Sequence, residues 1–409
     1  MLTKNGVINS MKVYIITREP FPNGMAATNR IKCYAKALIN IGIKCEVIVF
    51  TRTEVYGKTP KNLVGKGTFE GIPFQYIGGT PLRDKNVFVR KIKDYQDRLK
   101  LVRFLAKKLK TDDIVLWYCG VFVSFVNTII DIVHIKNAKF VRDVCELPYG
   151  TSEETIKSVK LRKKTLLKQF PKCDGFITIS DALTNLVKKY QSSHAKVIKI
   201  PILVDFEKYD LPDYSKNSEI PYIFHSGTLY EQKDGILGMI EAFGIASQKL
   251  SYSIRFILTG KKESSPHFLE INSLIEKYQL EDKIIFTGYL SDDELKEYLS
   301  KASLVIINKY KTQQNEYCFS TKLGEYLSAG KPVIITKVGE AMNWLTDGES
   351  AYFVESEDVL LLAEKIIHAF TDTEERCKIA DRGKIVCKNS FDYHGYGPKL
   401  LDFFYSISH

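Results

Sequence analysis

The sequence predicts two successive doubly wound α/β domains, and three observations carry that reading. Short β-branched or apolar runs alternate with longer stretches of helical spacing, the alternation breaks once near the middle, and each half holds six strand-like runs. Near-continuous apolar strands separated by helices indicate parallel sheets covered on both faces. Ligands of such sheets lie beyond the carboxyl ends of the strands, so those ends are where functional residues are sought.

In order, the first half reads as strands at 12–17 ("KVYIIT"), 44–51, 113–119, 139–144, 175–180 and 196–201, with helical stretches at 27–41, 84–110, 120–135 and 152–170. The segment "VDFEKYDLPDYSKNSEIP" (204–221) has no sustained period and is rich in turn residues, the signature of a linker. Strands follow at 222–227, 253–260, 283–290, 303–309, 331–336 and 351–355, with helices near 234–249, 266–278, 291–301, 320–329 and 357–370. Helical stretches at 373–388 and 393–407 close the chain, and no short repeat is present. The predicted division is 1–210, 211–392 and a terminal helix, 393–409, whose Leu400, Leu401, Phe403, Phe404 and Ile407 need a surface to bury against.

At 44% hydrophobic and 26% charged, 409 residues can bury ordinary globular cores. No window approaches the roughly 18 apolar residues of a membrane span, and "MLTKNGVINS" lacks the apolar core of a signal peptide. The eight cysteines form no C-x-x-C and the seven histidines no H-E-x-x-H. Both suit reduced thiols in a cytoplasmic protein without a metal centre. Charge is uneven: residues 1–210 hold 37 Lys/Arg against 19 Asp/Glu, and residues 211–409 hold 22 against 29. A cationic half points to an acidic partner: nucleic acid, an anionic membrane or a phosphate-bearing substrate.

Several strand ends suit phosphate. In "IITREPFPNGMAATNRI", Gly24 precedes a helix start whose free N–H groups can hold an anion, although an ordinary strand-turn-helix reads equally well. There is no G-x-G-x-x-G fingerprint. "GEYLSAGKP" misses the phosphate loop at both ends, with Glu325 in place of the first glycine and Pro332 in place of the last residue. "HSGTLYEQKDGI" sets Lys233 at a helix mouth, where it opposes the dipole unless an anion is bound or the side chain turns to solvent. "FSTKLGEYLSAGKPVI" opens a helix with Ser320 and Thr321 and places Lys322 and Glu325 three apart, on one face.

Together and in order, these runs resemble the family-4 retaining glycosyltransferases of GT-B fold. The matching stretches also include "CDGFITISDAL", "IPILVDFEKY", "RFILTGK" and "IIFTGYLSDDELKEYLSKASLVI", and the resemblance covers most of the chain outside about 52–112. The resemblance implies two Rossmann-like domains facing a central cleft, a sugar nucleotide held mainly by the second, an acceptor by the first, and a terminal helix that crosses back to the first. It implies that Glu325 accepts hydrogen bonds from ribose hydroxyls, that the amides at Ser320 and Thr321 face the diphosphate, and that Lys322 and Lys233 offset the charge of the leaving group. Gly24, Thr228 and Tyr289 complete the implied donor-binding set.

The sequence departs from the family pattern at three places. Glu316 precedes Glu325 by nine residues instead of eight, with Tyr317 at the family offset; Glu316 reaches the donor sugar through a shifted loop or is simply solvated. Thr228 stands where many members carry arginine. In "FVRDVCELPY", Cys145 takes a histidine's place, leaving Asp143 and Glu146 as candidates for the transferred sugar or acceptor hydroxyl, or as buried structural carboxylates.

The implied reaction is front-face transfer with retention from a nucleoside-diphosphate sugar, which fits a chain without an obvious nucleophile–base pair; no D-x-D stands in the expected position, so no obligatory metal or other cofactor is expected. The basic amphipathic stretches 83–110 and 157–170 read either as solvated helices or as a surface for an anionic membrane, and the second reading fits a glycan or lipid-linked acceptor. Two rivals are a GT-B nucleotide-sugar epimerase and a nucleic-acid binder. The latter has no recognisable motif here, so nucleic acid is not an expected partner.

Overall fold

Two parallel sheets organise the chain in the computed structural model, which describes residues 11–118, 123–149, 155–215 and 219–408. The first ten residues and Cys119 lie outside that range. The first sheet is built from β1 (Lys12–Thr17), β2 (Lys44–Val49), β3 (Lys66–Phe69), β4 (Ile72–Tyr76), β5 (Ile114–Tyr118), β6 (Lys139–Val144), β7 (Gly175–Thr178) and β8 (Lys196–Lys199). Its order is β3-β4-β2-β1-β5-β6-β7-β8, and every pairing but β3–β4 is parallel. Every residue of β5 and β7 is buried, as strands covered on both faces require.

The connections explain which face each helix covers. Helix α1 (Ala26–Asn40) joins β1 to β2, a step opposite in direction to those of α2 (Val87–Lys108), α3 (Val123–Ile135), α4 (Ile156–Lys168) and α5 (Asp181–Tyr190). Right-handed crossovers therefore put α1 on one face and α2 to α5 on the other. The stretch 52–112 was unassigned in the sequence beyond its helix; it also holds the β3–β4 hairpin. Glu70 and Gly71 form its two-residue turn with φ of 48° and 79°, the left-handed pair that such a turn requires.

The second sheet contains β9 (Tyr222–His225), β10 (Arg255–Leu258), β11 (Ile284–Phe286), β12 (Leu304–Ile307), β13 (Val333–Thr336) and β14 (Tyr352–Val354) in the order β11-β10-β9-β12-β13-β14. All pairings are parallel. The helices are α6 (Phe206–Tyr209), α7 (Glu231–Asp234), α8 (Ile236–Lys249), α9 (Phe268–Tyr278), α10 (Asp292–Lys301), α11 (Gln313–Tyr317), α12 (Thr321–Ser328), α13 (Val359–Thr371) and α14 (Thr373–Ser390). From β9 the chain steps to β10 and β11, then returns to the other side of β9 with β12. The crevice at the carboxyl ends of β9 and β12 is thus a topological switch point.

Contacts divide the chain into one unit ending at Leu203 and rejoined from Tyr393, and a second spanning Val204–Asp392. The first boundary thus falls at 203 instead of 210, because Phe206 and Tyr209, three apart in α6, bury their rings in the second unit. The linker reading of 204–221 fails for that first part, and 216–218 lie outside the described residues. The last helix, α15 (Gly397–Ser408), belongs to the first unit, where Leu400, Phe403 and Phe404 join the core formed by β1, β2 and α1. Gly175 in β7 leaves room for it; a Cβ there would lie 2.8 Å from Phe403 Cζ. No helix among the described residues is long and apolar enough to cross a membrane.

Candidate functional site

The switch point of the second unit gathers cations around one buried carboxylate. β9 ends at His225, and the chain turns through Ser226, Gly227 and Thr228 before α7. Gly227 is required there, since a side chain would strike the His225 ring and the Asp234 carboxylate. Asp234, at the end of α7, is 4% exposed. Its Oδ2 accepts from the Thr228 amide (2.9 Å) and hydroxyl (2.8 Å), and its Oδ1 accepts from Lys322 Nζ at 2.6 Å. Burial alone would raise its pKa; Lys322, His225 and the bond from Thr228 outweigh it and hold the carboxyl well below its usual range.

His225 Nδ1–H donates to the Ile306 carbonyl at 2.8 Å, while Nε2 lies 4.0 Å from Asp234 Oδ1 without a hydrogen bond. Burial and the Lys322 charge push its pKa down to about 4, so the ring is neutral. Lys309, just past β12, reaches Asn315 Oδ1 at 3.4 Å. Burial lowers its pKa, and the like charges of Lys322 and Lys233 lower it further. Asp234, His225 and Lys309 were missed in the sequence. Lys309 alone left a signal, a charge directly after the β-branched run "LVII".

Helix α12 opens onto this cluster. Ser320 is its N-cap residue but makes no side-chain capping bond, and its first turn, beginning at Thr321, holds no acid. The positive end of the helix is therefore left uncompensated. The Tyr326 hydroxyl accepts from the Ser226 amide at 2.8 Å and ties α12 to the end of β9. Glu325 is half-buried; burial raises its pKa, opposed by Lys208, Lys322 and a hydrogen bond from Tyr209. Lys322 thus spans to Asp234 and makes no ion pair with Glu325 among the described residues.

The remaining predicted residues are placed less uniformly. Lys233 is exposed; it lies in the one-turn helix α7, cut off from α8 by left-handed Gly235 (φ 59°), so the predicted helix start at 234 moves to 236. Glu316, in α11, is exposed, and Tyr289 is 68% exposed in the turn after β11. Gly24 lies in the first unit, before α1, and its missing side chain makes room for the Thr28 hydroxyl and the Pro20 carbonyl.

In the same unit, β6 carries Asp143 into a buried network. Asp143 accepts from the Tyr34 hydroxyl and faces Arg30 Nε at 3.5 Å, while Arg30 also donates to the carbonyls of Ile200 and Pro201. With both partners enclosed, Asp143 is an internal counter-ion, as in the second of its two readings, the buried structural carboxylate. Glu146 is exposed beyond the end of β6, near enough to half-buried Glu19 to raise that residue's pKa, although burial is the larger cause.

Residues 208–386, nearly the whole second unit, match the family described as glycosyl transferases group 1. Over these residues the chain resembles the group 1 glycosyltransferases. The whole chain has the GT-B fold: it superposes on sucrose-phosphate synthase from Thermosynechococcus elongatus with a TM-score of 0.72, at 14% identity, covering 97% of this chain and 99% of that one. It superposes on Anabaena HepE, solved with UDP and glucose, with a TM-score of 0.70 at 15% identity, covering 97% and 100%. In sequence, 227 residues are 23% identical to the putative colanic acid biosynthesis glycosyltransferase WcaL of Escherichia coli, a match spanning 54% of each chain. The matched stretch therefore contains the switch-point cluster in full.

Proposed function

We propose that this protein transfers a sugar, with retention at the anomeric carbon, from a nucleoside-diphosphate sugar to an acceptor hydroxyl. The observation that carries the reading is the gathering of Lys233, Lys309 and Lys322 at the switch point, with a single buried carboxylate between them and the open end of α12 beside them. Like charges held this close are costly without an anion, and a diphosphate offers one. The acceptor oxygen forms its bond to the anomeric carbon as the bond from that carbon to the β-phosphate oxygen breaks. The acceptor proton passes to the departing phosphate oxygen, and the lysines stabilise the charge gathering there. Glu325 accepts from the ribose hydroxyls, the amides at Ser320 and Thr321 face the diphosphate, and Glu316, Thr228 and Tyr289 border the donor. Lysines do the electrostatic work a divalent cation does in other transferases, so activity should survive chelation.

UDP-sugars are the first donors to test, because HepE was solved with UDP and glucose. The likeness to WcaL favours a glycan acceptor of polysaccharide assembly; a lipid-linked acceptor on the cytoplasmic side of a membrane extends that reading. Calorimetric titration with UDP, GDP and their sugars tests the donor, and NMR of the product's anomeric proton tests retention. No heat with any nucleoside diphosphate would sink the donor reading, and an inverted product would sink the mechanism.

A further inference from the structure

Helix α2 has two apolar faces, and one of them is bare. Its inward face is Asp97, Leu101 and Leu105. At about 100° per residue, Phe88, Ile92, Tyr95 and Leu99 fall in an arc about 60° wide on roughly the opposite side. They are 75%, 59%, 62% and 38% exposed. A soluble helix normally turns charge outward at these positions; here four apolar side chains in succession face solvent.

The charges flank the stripe instead. Lys91 borders one side and Arg103 and Lys107 the other, and none has an ion-pair partner among the described residues. The inner basic residues are used differently: Lys93 pairs with Asp84 at 2.7 Å, and Arg52 grips Asp97 at 3.1 Å. Those pairs fasten the helix to its own unit, and Asn86 caps its start by accepting from the amides of Phe88 and Val89. The stripe is therefore held outward by a fixed scaffold. Before the helix start, Tyr56 and Leu82 are exposed as well.

We propose that this face docks on an anionic bilayer, with Phe88, Ile92, Tyr95 and Leu99 entering the interfacial layer and Lys91, Arg103 and Lys107 meeting lipid phosphates. An apolar stripe with basic borders and aromatic rings matches such an interface in both its chemistry and its geometry. A second copy of the chain fits poorly: a two-fold contact through the stripe would bring the same basic borders face to face. The inference deepens the proposed membrane-side acceptor, but its test reads lipid binding alone and stands or falls apart from sugar transfer.

Full-length protein is sedimented with vesicles of phosphatidylcholine, alone or mixed equally with phosphatidylglycerol, at low ionic strength. The expected result is partition onto the mixed vesicles only, weakening as salt rises. The double variant Ile92→Ser, Tyr95→Ser should lower that partition about tenfold or more with an unchanged melting temperature. A second variant, Tyr95→Trp, should show a blue-shifted emission on the same vesicles. Wild-type protein left in the supernatant, or serine variants that bind as tightly, would overturn the proposal. So would a wild-type dimer that the serine variant splits, since the stripe would then be a protein interface.

Discussion

Lys322 Nζ and Asp234 Oδ1, 88 residues apart in the chain, meet at 2.6 Å at the switch point of the second sheet. The pair holds a lysine of α12 against the end of α7, and so sets where the cationic cluster presents its charge. Asp234→Asn should cost about 3 kcal/mol of unfolding free energy, because it leaves Lys322 beside Lys309 and Lys233 without its counter-ion. Denaturant unfolding with and without UDP measures this, and UDP should stabilise the variant more than the wild type. Unchanged stability would show that the pair is not closed in solution.

Lys233→Ala and Lys322→Ala should each weaken UDP binding by about ten- to a hundredfold, the scale of a lost charge-assisted hydrogen bond. Lys233 is exposed, so its variant should melt with the wild type; Lys322→Ala should melt lower. Glu325→Ala should cut turnover and donor affinity together. Wild-type UDP affinity in all three would remove the donor assignment.

His225 gives the fold a pH dependence whose sign can be worked out. Its folded pKa of about 4 is below the ordinary imidazole value of about 6.5, so the folded protein resists a proton that the unfolded chain accepts. Stability from this residue is fully present above 6.5 and is lost as pH falls from there towards 4. The total is about 3 kcal/mol at most. Melting curves of wild type and His225→Gln between those pH values should converge as the pH drops. A constant gap across the range would count against a neutral buried ring.

Asp143→Ala should destabilise the first unit by about 3–5 kcal/mol, since it strands the buried guanidinium of Arg30. Chemical denaturation is the measurement. If the variant were as stable as wild type yet inactive, Asp143 would return to the catalytic set.

Phe404→Ala should cost about 3–5 kcal/mol, as for other buried phenylalanines, because its ring lies fully inside the first unit's core. Removing 399–409 should expose the same core and lower activity more than it lowers UDP affinity, which the proposed donor site assigns to the second unit. Limited proteolysis distinguishes the outcomes: an unchanged cleavage pattern in the first unit would show that α15 contributes little.

The sequence by itself determined the fold class and nearly every strand. Runs such as "KVYIIT" and "LVII" are apolar whatever surrounds them, and the alternation with helices leaves little but parallel sheets. It also marked the positions where α12 begins and where Lys233 lies, because capping residues and glycines act within a few residues of chain. Tertiary structure alone decided the rest. Asp234 became the partner of Lys322, and Lys309 their neighbour, only once crossovers brought β9, β12 and α12 to one edge. Asp143 looked as available as Glu146, three positions away, until the fold enclosed it with Arg30 and Tyr34 and left Glu146 outside. The outer stripe of α2 was legible as an amphipathic pattern, but which of its apolar faces the sheet would cover was not. Periodicity is a property of neighbours in sequence, whereas pairing and burial depend on which distant elements the connections bring together.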